Sequence, residues 1–301
     1  MIKKSLLTAV VLLLLHALVV YLYPISSTQY ALQGNTIKAQ QFIYGSAQEN
    51  IIIGSSLSNR LVMDSLPGMS NLSFSGMGIF DGLSILNHSN VTPRTVFIET
   101  NIMSRSENEH FTSYVNSPLL RPVKKAIPSL RDEYQPIGML GQLVISMLKE
   151  DMAGEEVMDQ TAATQQQGDE TFFKKILAIE TEKLSKVPDT AELLPRFEQL
   201  ALEVERLEAK GARVIFFEMP VNEILCDLPQ PQAIRSLYRK YFPESKYAYI
   251  SVPHCSGYRT TDGAHLAGEE ATRYTMYFKT HAEALLANQD RLSIGSVTPP
   301  K

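Results

Sequence analysis

The sequence has no excess of basic residues. It contains 28 Lys and Arg against 32 Asp and Glu, so the formal net charge is -4 at pH 7. Near the N-terminus the basic stretch is only Lys3-Lys4. Proteins that bind nucleic acid usually concentrate positive charge on one face or in one segment. We therefore expect no nucleic-acid partner.

Cysteine is also scarce, with only Cys226 and Cys255 in the chain. Neither belongs to a CxxC motif or to a cluster with metal-ligand spacing, which argues against a zinc site. No other motif requires a metal or a cofactor. In an oxidising compartment the two thiols can form a disulfide, and two independent free thiols are the alternative.

One long apolar run is present, at the N-terminus. Residues 5–23 carry no formal charge and follow Met1-Ile2-Lys3-Lys4. A helix of about 20 apolar residues crosses a bilayer, whereas a cleaved signal peptide has a shorter apolar region. We predict an uncleaved single-pass anchor at residues 1–24, with a cleaved signal or a buried core helix as alternatives. The lysines favour the cytoplasmic side, which places the rest of the chain outside the cytoplasmic membrane, in the periplasm of a bacterium.

The remaining sequence has an α/β pattern. Short apolar runs alternate with amphipathic segments, which predicts a three-layer domain with a parallel central sheet and helices on both faces. The predicted strands are 51–53, 71–74, 95–99, 214–217 and 247–252. The predicted helices of this core are 57–64, 77–86 and 194–210.

Other segments interrupt or flank this domain. We predict a polar stalk at 25–48, a domain at 49–292 with a helical insertion at about 104–195, and a tail at 293–301. An apolar face at 139–148 within the insertion is interpreted as core packing, with contact to a membrane partner as the alternative.

Three short motifs follow predicted strands. Ser56 lies in Gly54-Ser55-Ser56-Leu57-Ser58 after the first strand, Gly76 follows the second, and Asn101 ends the third. Neighbouring parallel strands lie about 4.8 Å apart, so residues at their ends can converge on one atom. The N-terminus of the helix predicted after Ser56 would direct free N–H groups to the same place. Taken singly, each residue has an ordinary alternative role as a helix cap or turn residue.

A fourth motif, Asp262-Gly263-Ala264-His265, lies near the C-terminus. Asp and His three residues apart on a turn can place the carboxylate against Nδ1 of the imidazole. Nε2 is then free to take a proton from a serine. The alternative is a surface helix start, with Asp262 as its cap and His265 in solvent.

The order of these residues resembles the SGNH hydrolase superfamily, also called the GDSL family, between residues 50 and 271 without the insertion. Ser56 matches the nucleophile of that family, Gly76 and Asn101 match its glycine and asparagine, and Asp262 and His265 match its last pair. The resemblance implies a serine acyltransferase or esterase without metal or cofactor. In it, the oxyanion hole would consist of the Ser56 N–H, the Gly76 N–H and the Asn101 side chain.

Two departures from the family pattern are present. Ser55 stands where the family usually has aspartate, and Asn101 is flanked by Thr100 and Ile102 instead of the usual Gly-x-Asn-Asp context. The chain is more similar to the membrane-anchored branch, which includes the D-alanyl transfer protein of teichoic acid operons and the acetyltransferases of exopolysaccharides such as alginate and cellulose. This implies O-acetylation of an exopolysaccharide or cell-wall glycan beside a multi-spanning O-acyltransferase. A membrane-tethered esterase or lipase and a non-catalytic assembly module of an export complex are the alternatives.

Overall fold

The computed structural model describes residues 2–22, 31–46, 48–136, 161–252, 255 and 257–295 of the 301-residue chain. The chain divides into two compact units, Met1–Ser46 with Asn108–Ala163, and Ala47–Glu107 with Thr164–Lys301. The segment 139–148, for which core packing was predicted, lies outside the described residues.

The α-helices of the described residues are numbered in chain order. They are α1 (Ile2–Leu22), α2 (Ala31–Tyr44), α3 (Ile79–Asn87), α4 (Glu109–Val115), α5 (Leu120–Ala126), α6 (Thr161–Leu184), α7 (Thr190–Ala209), α8 (Glu223–Cys226), α9 (Pro229–Tyr241) and α10 (Gly268–Gly295). Helix α2 occupies most of the residues predicted as a polar stalk, and α10 continues beyond residue 292, where the tail was predicted to begin.

The second unit is built on a five-stranded sheet. Its strands are β1 (Asn50–Ile53), β2 (Met69–Asn71), β3 (Thr95–Glu99), β4 (Arg213–Phe217) and β5 (Ala248–Ile250). Their order is β2-β1-β3-β4-β5, and every neighbouring pair is parallel. The predicted α/β class and parallel sheet are confirmed, although β2 begins and ends earlier than the predicted 71–74.

Helices cover both faces of this sheet. Successive strand residues point to opposite faces, and the aromatic contacts follow this alternation. On one face, Phe97 and Phe217 contact Phe278 of α10, with ring centroids 5.4 and 5.0 Å apart. On the other face, Phe216 lies 5.5 Å from Tyr238 of α9. These fully buried rings fix the sheet between its two helical layers.

The prediction of a helix at 57–64 is wrong. The chain forms only two short 3₁₀ helices there, Ser58–Arg60 and Met63–Ser65. The Ser58 N–H and hydroxyl both donate to Glu99, at 3.1 and 2.5 Å. Side-chain hydrogen bonds of this kind compete with the regular backbone hydrogen bonds of a helix. In the segment that follows β1 they replace the predicted α-helix.

The first unit contains the apolar helix α1. An 18-residue window within Lys3–Leu22 has a mean hydropathy of 2.5, so this helix is long and apolar enough to cross a membrane. Within the same unit, buried Asp132 joins several elements. It accepts hydrogen bonds from Gln40 of α2 and Lys124 of α5, and from the Tyr114 hydroxyl of α4 at 2.9 Å.

Candidate active site

The strand order determines where a site can form on this sheet. β1 has β2 on one side and β3 on the other, so the chain reverses its direction of winding between β1 and β3. In doubly wound sheets, ligands bind outside the carboxyl ends of the strands at such a reversal. Ser56 follows the carboxyl end of β1, and Asn101 follows that of β3.

Ser56, His265 and Asp262 form a continuous hydrogen-bonded chain at this edge. His265 Nε2 lies 2.9 Å from Ser56 Oγ, and His265 Nδ1 lies 2.6 Å from Asp262 Oδ2. Asp262 Oδ1 accepts the backbone N–H groups of Ala264 and His265, at 3.1 and 2.8 Å. The carboxylate therefore orients the imidazole and the turn that carries it at the same time.

The ionised carboxylate of Asp262 determines which ring nitrogen of the His265 imidazole faces it with a hydrogen. Burial raises the pKa of Asp262, but hydrogen bonds and charge attraction from His265 outweigh it, so the pKa lies below its ordinary value. An ionised carboxylate only accepts hydrogen bonds, so the hydrogen of the neutral imidazole tautomer lies on Nδ1. Nε2 then has a lone pair directed at the Ser56 hydroxyl, which is the arrangement of a nucleophile and its base.

The lowered pKa of Asp262 predicts a pH-dependent effect of Asp262→Asn on stability. A carboxyl with a depressed pKa in the folded state stabilises the fold above its unfolded pKa of about 3.9. This contribution is lost as the pH falls through the lower pKa of the folded protein. We expect the unfolding free energy of Asp262→Asn, measured with urea, to lie below the native value at neutral pH and to approach it below about pH 4. A difference that is constant with pH would contradict this.

The loop that carries Asp262 and His265 has a fixed backbone. Gly263 has φ +90°, in the left-handed region that favours glycine. A Cβ on this residue would lie 3.0 Å from Leu177 and 3.2 Å from Leu225. The Gly263 carbonyl accepts the backbone N–H of Asn222 at 2.8 Å, which connects this loop to the start of α8.

Cys226 and Cys255 are joined in a disulfide with a Cα–Cα distance of 6.2 Å. Cys226 ends α8, and Cys255 precedes the loop of Asp262. Two chain segments next to the site are thereby linked covalently.

We predict that native protein prepared without reductant has no alkylatable thiol and gains two after reduction. Cys255→Ser should lower the unfolding free energy by about 3–4 kcal/mol, as expected for a disulfide that closes a loop of this size. Intact-mass measurement after alkylation and urea unfolding test both statements. Two reactive thiols in the native, unreduced protein would disprove the bond.

The backbone N–H groups of Ser56 and of Gly76 have no acceptor among the described residues. On either side of Ser56, the N–H groups of Ser55 and Leu57 donate to Glu99 and to Ser55 Oγ, at 2.9 and 3.1 Å. Gly76 has φ +75°, a conformation that favours glycine. Both N–H groups were predicted as oxyanion donors, and neither donates to another acceptor among the described residues.

Asn101 is held by a reciprocal pair of bonds. Its Nδ2 donates to the Met219 carbonyl at 2.8 Å, and its Oδ1 accepts the Met219 N–H at 2.7 Å. One of the two amide hydrogens remains available to a ligand. Asn101 lines the same cavity as Ser56, Asp262 and His265, whereas Gly76 is not among the lining residues.

Glu99 is a site residue that sequence reasoning did not find. Its carboxylate is fully buried at the end of β3. It accepts the Ser55 N–H and hydroxyl at 2.9 and 2.7 Å, in addition to the two Ser58 bonds. A Cβ on Gly54 would lie 2.6 Å from Glu99 Oε2, so the approach of this carboxylate requires glycine there. An acidic residue in the otherwise apolar run Val-Phe-Ile-Glu was the available signal.

The cavity beside Ser56 has a volume of about 190 Å³. Part of its wall is the C-terminal half of α6, including Ile176 and Leu184. These residues belong to the predicted insertion, where no motif indicated a role at the site. Among the described residues, no group of three or more His, Cys, Asp or Glu side chains is placed to hold a metal ion.

No protein-family model, curated protein or solved structure matches this chain. The functional interpretation therefore depends on the geometry of the site itself.

Proposed function

We propose that the protein is a membrane-anchored serine acyltransferase of the SGNH type, with Ser56 as nucleophile. The observation that supports this most directly is the hydrogen-bonded chain from Asp262 through His265 to Ser56. It lies on the wall of a cavity, at the carboxyl edge of the sheet where ligands bind in related architectures.

In the proposed reaction, Ser56 Oγ attacks the carbonyl carbon of an acyl ester while its proton passes to His265 Nε2. Asp262 stabilises the resulting imidazolium. The tetrahedral oxyanion accepts hydrogen bonds from the Ser56 N–H, the Gly76 N–H and the Asn101 side chain. One such donor contributes about 2.7–4 kcal/mol in other enzymes.

Collapse of this intermediate breaks the ester bond. His265 Nε2 returns its proton to the departing alcohol, which leaves an acyl ester on Ser56. A sugar hydroxyl or water then attacks that ester, gives its proton to Nε2 and takes the acyl group, and Ser56 regains its hydroxyl. A sugar acceptor makes the reaction a transfer, and water makes it a hydrolysis.

The proposed location follows from α1. We infer that this helix is a single-pass anchor in the cytoplasmic membrane, with the catalytic domain on the periplasmic side. There the enzyme would acylate an exopolysaccharide or cell-wall glycan, beside a multi-spanning O-acyltransferase. The resemblance to the membrane-anchored branch implies acetyl as the transferred group.

The test is labelling of the full-length protein with a fluorophosphonate probe, which reacts with an activated serine. Native protein should be labelled at Ser56, and Ser56→Ala should not be labelled. Ser106→Ala, which changes an exposed serine near the site, should be labelled like the native protein. Equal labelling of Ser56→Ala would refute the nucleophile, and labelling of neither protein would favour the non-catalytic assembly module.

A second measurement separates transfer from hydrolysis. With an aryl ester as donor, a glycan acceptor should accelerate release of the aryl alcohol and should itself become acylated. Release that is unchanged by any added glycan would identify a membrane-tethered esterase or lipase.

A further inference from the structure

The cavity beside Ser56 is large for an acetyl group. Its volume of about 190 Å³ exceeds the roughly 150 Å³ of an engineered apolar cavity that holds benzene. The single methyl group of an acetyl ester would leave most of this space unoccupied. An apolar body of about six to eight carbon atoms has the appropriate size by the same comparison.

The wall of this cavity is rich in aliphatic side chains. They come from the segments after β1 and β4 and from α6, α8 and α9, and include Leu57, Ile176, Leu184, Val221, Leu225 and Ile234. Leu57, Leu225 and Ile234 are themselves buried, so they form a permanent surface of the fold. Burial of each methylene group against such a surface favours binding.

Four of the charged residues of the same wall form two pairs, and a fifth, Arg105, donates to the Met77 carbonyl at 2.9 Å. Arg235 donates to Glu218 from both Nε and Nη2, at 2.9 and 2.6 Å. Lys183 lies 3.4 Å from Glu180. A sugar ring needs unpaired donors and acceptors, and often an aromatic face for stacking. Among the described residues that line this cavity, none is Phe, Tyr or Trp.

We propose that this cavity is an acyl pocket for a straight chain of about six to eight carbons. The preferred acyl donor is then a medium-chain ester, and an acetyl ester is a poor one. The inference depends on the proposed function, because it assigns the acyl chain of the Ser56 ester to this cavity. It departs from the acetyl group that the sequence resemblance implies.

The test is a series of p-nitrophenyl esters from two to twelve carbons, with the full-length protein in lipid nanodiscs so that detergent cannot fill the cavity. We expect kcat/KM to rise about fourfold with each added methylene up to six or eight carbons. Beyond that length it should fall, because a longer chain exceeds the cavity volume of about 190 Å³.

Two variants should shift the acyl chain length with the highest kcat/KM in opposite directions. Leu184→Trp fills part of the cavity and should shift the optimum to shorter chains, whereas Ile176→Ala enlarges it and should shift the optimum to longer chains. General damage to the fold would lower all rates without such opposite shifts. Leu202→Trp, which changes an exposed leucine of α7, is the matched control and should leave the optimum unchanged.

Three results would overturn the acyl pocket. The first is a rate that is highest for the acetyl ester while Ser56-dependent labelling persists, which leaves the proposed function intact. The second is a chain-length profile that neither Leu184→Trp nor Ile176→Ala shifts. The third is the absence of both ester turnover and Ser56-dependent labelling, which removes the pocket together with the proposed function.

Discussion

Replacing His265 with alanine should lower kcat by about 10⁶-fold, the loss found when the base of a serine triad is removed. The variant has no acceptor for the proton of Ser56, and the hydroxyl alone is a weak nucleophile. KM should change much less, because the proposed acyl pocket is retained. Steady-state kinetics with a p-nitrophenyl ester measures both constants.

A double variant makes this prediction more specific. If Ser56 and His265 act as one unit, Ser56→Ala combined with His265→Ala should be no slower than either single variant. His88→Ala, at an exposed histidine beside α3, should retain native kinetics. Losses that multiply in the double variant would show that the two residues act independently, and the 2.9 Å contact between them would then have no catalytic meaning.

The second large effect concerns Glu99. Glu99→Ala removes the acceptor of four hydrogen bonds from Ser55 and Ser58 inside the protein. Each buried donor without a partner costs about 1–3 kcal/mol, so the unfolding free energy should fall by about 3 kcal/mol or more. Since Ser56 lies between the two anchored serines, kcat should also fall by about 100-fold, as expected from a small displacement of a nucleophile.

Glu99→Gln separates the two roles of this residue. The glutamine oxygen can accept the N–H groups of Ser55 and Ser58, as Oε2 of Glu99 does. Its amide group can donate to the Ser55 hydroxyl, which is able to turn and accept. We expect most of the stability and an intermediate kcat to be retained.

Glu198→Gln, at an exposed glutamate of α7, is the matched control for both Glu99 variants. Urea unfolding gives the stability, and the rate of fluorophosphonate labelling per folded molecule reports on the position of Ser56. A native labelling rate in folded Glu99→Ala would show that Glu99 stabilises the fold without positioning the nucleophile.

Several elements of the fold were predicted from local patterns with good accuracy. Strand β3 has the predicted bounds 95–99, because a continuous run of β-branched and aromatic residues specifies a buried strand. The contact between Asp262 and His265 was also expected, because the two residues are only three positions apart on one turn. The helix predicted at 57–64 failed because Glu99, more than thirty positions away, takes the hydrogen bonds of Ser58.

The sequence by itself determined the approximate positions of the strands, with β2 displaced by two to three residues, and which polar residues follow them, because hydrophobic periodicity and turn chemistry act over a few residues. Only the tertiary structure decided that His265 reaches Ser56 across 209 positions, that Glu99 holds the loop of Ser56, and that α6 closes one wall of the cavity. These contacts depend on the order of the strands and on the packing of distant side chains, which no local pattern in the chain specifies.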